Sequence, residues 1–301
     1  MESPFQRVGQ ATIRGVEIMK NFMTRRYEKY GYAPVGLLPT IKFLFNRAVW
    51  KFLKTFGIKY AGLDWFERPF KLNDVFYCIN NDYYFKASDR KDFDIIFGMH
   101  ESFQDEYIRK NLVDGSRFID IGAHMGRFTL LGARSVGKNG LVLSLEPDQR
   151  VFQQLLENIS LNKYQNIISL PVAAFNDNDI VSFKISKTSG WSSLTDMHKE
   201  SIFNEIHIPA FKLDTIIESL KIESVDLIKI DVEGAEDKVL EGATKILEKF
   251  IPKLLIEIHE NESWSKCEKM LGDHGYEYEV IHRDPTSPEF HFHIYAYSKN
   301  S

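Results

Sequence analysis

The stretch Phe118-Ile-Asp-Ile-Gly-Ala-His-Met-Gly126 decides the fold of this chain, because in it a short apolar run ends at two closely spaced glycines. Residues 118–121 are typical of a buried parallel strand, and residues 122–126 of the tight turn that leads from such a strand into a helix. Glycine has no Cβ, so the backbone of this turn can lie close to a ligand. We therefore expect a ligand-binding turn here, followed by a helix near 127–134.

Apolar runs alternate with helix-like segments along the rest of the chain. Alternation of this kind is typical of an α/β protein with a mostly parallel, doubly wound sheet. A helix is expected near 103–112, a hairpin over 75–86, an added β element over 181–210 and a C-terminal antiparallel strand pair over 276–297. The core strands are predicted at 117–121, 141–145, 167–172, 225–230 and 253–258, and the core helices at 127–134, 148–162, 232–249 and 262–274.

The composition is ordinary for a globular protein, with 44% hydrophobic and 27% charged residues. No apolar run reaches the roughly 18–20 residues that a spanning helix needs. The two cysteines, Cys78 and Cys267, have neither metal-type nor disulfide-framework spacing. We expect a cytoplasmic protein, and the net charge of −4 gives no general reason to expect nucleic acid as a partner.

Residues 1–70 are expected to form a basic, helical N-terminal extension in front of a domain at 71–301. Residues 1–60 contain eleven Lys or Arg against three Glu, and helices are expected over 6–30 and 40–56. Two interpretations of the second helix stay open. It packs on the main domain, or it lies in an anionic membrane surface and makes residues 1–60 a peripheral membrane contact.

An acidic residue, Glu146, directly follows the second core strand. A carboxylate at this position accepts hydrogen bonds from a ribose diol. The G-x-x-x-G spacing of the turn is neither the dinucleotide fingerprint nor a P-loop, which favours a nucleoside cofactor without a pyrophosphate. We predict S-adenosylmethionine, with its ribose at Glu146. Asp120 either faces the amino group of the methionine part or only stabilises the turn.

Five ordered motifs, within about residues 75–260, resemble those of the FkbM-type methyltransferases. They are Phe118 to Gly126, Leu145-Glu-Pro147, Leu213-Asp-Thr215, Asp226-Leu-Ile-Lys-Ile-Asp-Val-Glu-Gly-Ala-Glu236 and Leu255-Ile-Glu-Ile-His259. The resemblance implies a class I (Rossmann-like) methyltransferase fold over 71–301, S-adenosylmethionine as the methyl donor, and an oxygen nucleophile on a sugar, polyketide or related metabolite. His124 departs from the pattern, since the family more often has Asn there. With Asp231 placed beside the transferred methyl, the expected cofactor-binding residues are Asp120, Gly122, His124, Gly126, Glu146, Ala174 and Asp231.

Side chains that can move a proton are expected to converge at the ends of the fourth and fifth core strands, namely Asp231, Glu233, Glu257 and His259. Methylation of a hydroxyl needs an in-line approach and removal of the hydroxyl proton. His259 is the first candidate for the general base because its ordinary pKa lies near neutrality; Asp231 is the second, and Glu257 completes the catalytic set. Alternatively, these groups hold Mg²⁺ against a vicinal diol. Glu236 is interpreted as a carboxylate that favours a helix N-terminus.

The leading hypothesis is O-methylation of a sugar hydroxyl or carboxyl on a glycan, glycolipid or related metabolite, and the basic extension favours a lipid-linked acceptor. The segment 188–194 is interpreted as a substrate lid with Trp191 as a stacking surface, or as a plain hairpin turn. A nucleic-acid methyltransferase, supported only by the basic extension, and a non-catalytic adaptor are the alternatives. Six histidines are expected to be structural or on the surface: His198, His207, His274, His282, His291 and His293.

Overall fold

The computed structural model describes residues 32–34, 75–79, 83–87, 102–187, 190–196, 199–283 and 291–298. The chain divides into two compact units, Met1–Ser102 and Phe103–Ser301. The described strands of the first unit form an antiparallel sheet in the order β1-β2-β3. They are β1 (Tyr32–Pro34), β2 (Val75–Ile79) and β3 (Tyr83–Ala87).

The pairing of β2 with β3 confirms the predicted hairpin. The strand β1 comes from the predicted extension, and it pairs with β2 from the predicted main domain. The domain boundary at residue 70 stays a prediction. The helices expected over 6–30 and 40–56 lie outside the described residues, and so does the proposed membrane contact.

A seven-stranded sheet forms the centre of the second unit, in the order β12-β13-β11-β10-β4-β5-β6. The five strands from β11 to β6 are parallel, and β12 and β13 form an antiparallel pair at one edge. The predicted mostly parallel sheet with its C-terminal antiparallel pair is therefore confirmed. The strands are β4 (Arg117–Ile121), β5 (Leu141–Leu145), β6 (Ile167–Leu170), β10 (Leu227–Ile230), β11 (Lys253–Ile258), β12 (Tyr276–Arg283) and β13 (Phe292–Ser298).

The strand order reverses between β4 and β10, because the chain leaves β4 for β5 on one side and later returns to form β10 on the other. Ligands of open α/β sheets bind at such a switch point, outside the carboxyl ends of the strands. Strands buried on both faces are expected to be apolar almost throughout. Three charged residues interrupt this pattern as buried members of the central strands: Asp120, Lys229 and Glu257.

The described helices of the second unit include those that were predicted, with one correction, and one helix, Leu213–Ser219, in a segment where none was predicted. They are α1 (Ser102–Asn111), α2 (Arg127–Val136), α3 (Gln149–Asn162), α4 (Leu213–Ser219), α5 (Glu236–Glu241), α6 (Thr244–Lys249) and α7 (Asn261–Asp273). None of the helices among the described residues combines the length and apolarity needed to cross a membrane.

The single helix predicted over 232–249 is wrong, because two short helices, α5 and α6, occupy this segment. Glu233 and Gly234 have positive φ angles of 54° and 100°, so helical geometry cannot begin before Glu236. The carboxylate of Asp214 accepts hydrogen bonds from the N–H groups of Lys245 and Ile246 at 3.1 and 3.0 Å and so caps the start of α6.

The inserted β element forms a separate three-stranded sheet in the order β7-β9-β8. Its strands are β7 (Ala173–Ala174), β8 (Asp179–Ser186) and β9 (Ile202–Phe211). The third core strand, predicted to extend to residue 172, ends at Leu170. The chain then leaves the central sheet, and β7 pairs with β9 instead.

Candidate active site

The glycine turn lies directly after β4, at the switch point of the central sheet. The N–H groups of Gly122 and Ala123 both donate to the carbonyl of Leu145 at 3.0 Å, which ties the turn to the end of β5. Gly122 has a φ of 72°, and a Cβ on it would lie 1.8 Å from the carbonyl oxygen of Asp231. Only glycine therefore allows the ends of β4 and β10 to come this close.

The predicted ribose acceptor, Glu146, lies at the end of β5 and is 7% exposed. Its Oε2 accepts a hydrogen bond from the N–H of His124, and its Oε1 accepts one from the N–H of Asp148, each at 2.8 Å. Burial raises the pKa of Glu146 to about 7, while these two hydrogen bonds oppose the rise. The turn thus holds this carboxylate in a fixed position beside the place predicted for the cofactor.

Asp120 lies beneath the turn and is fully buried. Its Oδ2 accepts a hydrogen bond of 2.6 Å from Thr129 Oγ1 on α2, and its Oδ1 lies 3.9 Å from Lys229 Nζ. Burial raises the pKa of this carboxyl. These contacts fix the position of α2 against the sheet, and the predicted approach of Asp120 to the amino group of the cofactor stays a prediction.

Lys229 is a site residue that the sequence reasoning missed. It is 2% exposed in the middle of β10, and its Nζ donates to Asp231 Oδ2 at 2.9 Å and to the carbonyl of Gly122 at 3.3 Å. The side chain therefore joins the glycine turn to the end of β10. The available signal was a single charge inside the apolar run Leu227 to Ile230.

The structure brings together the four side chains predicted at the ends of β10 and β11. His259 Nε2 lies 3.9 Å from Asp231 Oδ1, 3.6 Å from Glu233 Oε2 and 3.4 Å from Glu257 Oε1. The Asp231 side chain is 25% exposed, that of Glu233 15% and that of His259 7%, so Asp231 is the most accessible of these three. One ligand atom from each of these three side chains lies within 4.8 Å of the others, and the Mg²⁺ alternative stays a prediction.

Glu236 orients the imidazole of His259. Its carboxylate lies in the first turn of α5, as expected, but it is fully buried and accepts a 2.8 Å hydrogen bond from His259 Nδ1. Its other oxygen accepts one of 2.8 Å from Ser263 Oγ on α7. The sequence reasoning missed this role, because Glu236 and His259 belong to different segments and only the packing of α5 against β11 joins them.

The electrostatic surroundings of His259 and Asp231 bear on which of the two side chains acts as the general base, and this choice stays a prediction. Burial lowers the pKa of His259, but Glu233, Glu236 and Glu257 outweigh it and hold the pKa well above its ordinary value. A raised pKa favours the protonated ring, which can donate hydrogen bonds but cannot accept a proton, so it weighs against His259 as the general base. Burial and the charge of Glu257 raise the pKa of Asp231 to about 7, so this carboxyl exchanges a proton near neutrality.

Glu257 contacts two of the histidines that we expected to be structural or on the surface. Its Oε1 accepts a hydrogen bond of 2.6 Å from His291 Nε2, and its Oε2 lies 3.0 Å from His293 Nε2. Burial raises the pKa of Glu257, but His293, His259 and His291 together hold it well below its ordinary value. The contacts with Glu257 are compatible with the structural role expected for His291 and His293, which stays a prediction, and His198 lies outside the described residues.

The inserted sheet contributes a loop, residues 190–196, that reaches both parts of the site. Ser193 Oγ donates to the carbonyl of Glu233 at 2.6 Å, and a Cβ on Gly190 would lie 3.6 Å from His124 Nε2 in the glycine turn. Trp191 is 38% exposed between these two contacts. The predicted cofactor residue Ala174 is buried in β7.

Comparison with known proteins relates the chain to methyltransferases. Residues 120–278 match the sequence profile of the family described as "Methyltransferase FkbM domain". The chain is 25% identical over 154 residues to the hexuronic acid methyltransferase AglP of Haloferax volcanii. The match covers 51% of this chain and 60% of that relative, so the chain spans less than two thirds of its length.

Two solved structures are similar to parts of the chain. The methyltransferase FkbM of Methylobacillus flagellatus has a TM-score of 0.44 and 20% identity, over 70% of this chain and 56% of that one. The fibrillarin of Aeropyrum pernix, solved with S-adenosyl-L-methionine bound, has a TM-score of 0.42 and 16% identity, over 65% of this chain and 74% of the other.

Proposed function

The chain belongs to the FkbM methyltransferase family, and from this premise we propose that it methylates an oxygen of a sugar, at a hydroxyl or carboxyl group of a glycan, glycolipid or related metabolite. Its fold is that of the class I methyltransferases, which use S-adenosylmethionine as methyl donor. The observation that carries the proposal is the contact of the Gly122 turn with the carbonyl of Asp231. This contact places the expected cofactor-binding turn, at the end of β4, beside the cluster of proton-exchanging side chains that begins at the end of β10.

The described residues suit S-adenosylmethionine. Gly122 leaves the backbone of the turn without a Cβ, and Glu146 presents a carboxylate at the position expected for a ribose diol. When bound, this cofactor supplies an electrophilic methyl group on a sulfonium. Lys229, which holds the turn and Asp231 in one arrangement, fixes the position of the residues that surround the acceptor.

Asp231 is proposed as the general base for a hydroxyl acceptor. Lys229 holds one of its oxygens at 2.9 Å, while the other faces the His259 ring and the more open part of the cluster. Glu236 orients His259 through the hydrogen bond that it accepts from Nδ1. We propose that Nε2 of the same ring donates a hydrogen bond that stabilises either the acceptor oxygen or the Asp231 carboxylate. We propose Glu257 as a positioning residue rather than a base, because His291 and His259 surround it.

A hydroxyl acceptor and a carboxyl acceptor differ in whether the reaction needs a general base. A hydroxyl must lose its proton at or near the transition state, whereas a carboxylate has already lost it. A hexuronic acid, the substrate class in the name of the relative from Haloferax volcanii, offers both groups. The basic N-terminal residues support a lipid-linked acceptor, which stays a prediction.

The test compares Asp231→Asn with Glu262→Gln, a carboxylate-to-amide change at a side chain that is 83% exposed on α7. Transfer of labelled methyl to uronate-containing oligosaccharides is measured, and binding of S-adenosylmethionine is measured separately by calorimetry. Asp231→Asn is expected to bind the cofactor and to lose turnover on hydroxyls by roughly 10²–10⁴-fold, while Glu262→Gln keeps both. Full turnover in Asp231→Asn on a hydroxyl would remove the assignment of the base.

A further inference from the structure

A cluster of one carboxylate and two imidazoles lies on the antiparallel edge of the central sheet. Glu257 on β11 is directly opposite His293 on β13 in the ladder. His291 precedes His293 by two residues, and side chains two apart along an extended chain point to the same face. The topology therefore places all three side chains on one side of the sheet, at the edge of the site described above.

The three side chains are close enough to share an ion. One ligand atom from each lies within 4.8 Å of the other two. The side chains of His293 and Glu257 are only 4% and 8% exposed, and that of His291 is 30% exposed. The ring of Phe103 packs edge-on against His293, with centroids 4.9 Å apart, and so restricts its rotation.

Three polar atoms of this cluster have no hydrogen-bond partner among the protein groups that the structure describes. Glu257 Oε2 and both ring nitrogens of His293 are buried and make no hydrogen bond within the described residues. Oε2 and Nε2 are nevertheless only 3.0 Å apart. Two ligand atoms that are this close can contact one ion at the same time, and leaving a buried polar group unsatisfied is costly.

We propose that Glu257, His291 and His293 bind a divalent transition-metal ion of the Zn²⁺ class. Two imidazole nitrogens and one carboxylate oxygen are a donor set that such ions accept with three protein ligands and an open position. Mg²⁺ and Ca²⁺ prefer oxygen ligands, so this site differs in chemistry from the Mg²⁺ alternative at Asp231, Glu233 and His259. The ion satisfies the buried oxygen of Glu257 and one nitrogen of His293.

The proposal is tested on the full-length protein after removal of metal with a chelator. Calorimetric titration with Zn²⁺ is expected to show one tight site, and added Co²⁺ is expected to give the visible absorption of a nitrogen- and oxygen-ligated ion. Affinity is expected to fall at least 100-fold in His293→Asn and in His291→Asn. His274→Asn, which changes a histidine at the end of α7 outside the cluster, is expected to keep wild-type affinity.

Circular dichroism checks that each variant is folded, and His291→Asn keeps the test decisive if the more buried His293→Asn does not fold. Wild-type protein without a stoichiometric Zn²⁺ site would overturn the proposal. An equal loss in His274→Asn, or unchanged affinity in folded His291→Asn, would also overturn it. Because binding is measured without any acceptor or methyl donor, the outcome does not depend on the proposed function.

Discussion

Replacing Gly122 by alanine is expected to destabilise the second unit and to abolish binding of S-adenosylmethionine. The new Cβ would lie 1.8 Å from the carbonyl oxygen of Asp231 and 2.9 Å from its carbonyl carbon. Both are backbone atoms at the end of the β4–β10 ladder, so no side chain can rotate away to relieve the contact. The two strands must instead separate where the site is built.

Two contributions set the magnitude. Alanine at a φ of 72° costs about 1–2 kcal/mol, and overpacking against fixed neighbours costs about 1–3 kcal/mol. In a unit of this size each kcal/mol lowers Tm by about 2–4 °C. We therefore expect a loss of roughly 4–20 °C in Tm by scanning calorimetry and no cofactor binding in a titration at the wild-type saturating concentration.

Gly275→Ala is the matched control, because Gly275 has a φ of 75° and no atom within 4 Å of the position of a Cβ. This variant carries the conformational cost without the clash. It is expected to lose roughly 2–8 °C in Tm and to bind S-adenosylmethionine normally. Equal losses of Tm in the two variants, with unchanged cofactor affinity in Gly122→Ala, would refute the close packing of Gly122 against Asp231.

Two further predictions concern the charged groups around the turn. Burial raises the pKa of Glu146 to about 7, and only the ionised carboxylate accepts hydrogen bonds from both hydroxyls of a ribose diol. Affinity for S-adenosylmethionine is therefore expected to rise with pH up to about 7 and to fall about tenfold for each pH unit below that value. Calorimetric titration between about pH 5.5 and 8.5 measures the affinity. Glu146→Gln is expected to bind the cofactor weakly and without this pH dependence. A wild-type affinity that does not change with pH would contradict the prediction. Lys229→Met leaves Asp120 and Asp231 without their cation and is expected to cost about 3–5 kcal/mol in urea unfolding. Adding Asp120→Asn is expected to recover part of that loss, and strictly additive costs would contradict the coupling.

Patterns local to the sequence predicted the central part of the fold. Apolar runs alternating with helical segments indicated the parallel strands and the antiparallel C-terminal pair, and the structure has both. The single helix predicted over 232–249 was wrong for one reason inside the segment, the positive φ angles of Glu233 and Gly234, and for one reason outside it. The carboxylate of Asp214, on α4, caps the start of α6. Because Asp214 lies outside residues 232–249, the composition of that segment could not predict this cap.

The sequence by itself determined the glycine turn at residues 122–126. Local backbone preferences and the order of the strands are enough to recognise a buried strand, two glycines and the acidic residue Glu146 after the next strand. Only the tertiary structure decided the partners of Lys229, of His259 and of Glu257. The register of β11 against β13 places His293 opposite Glu257, and the packing of α5 places Glu236 on His259. These pairings join distant segments, and burial together with the charges of those segments sets the pKa of Asp231 and of His259. The ranking of the two bases therefore depended on distances that residue order does not contain.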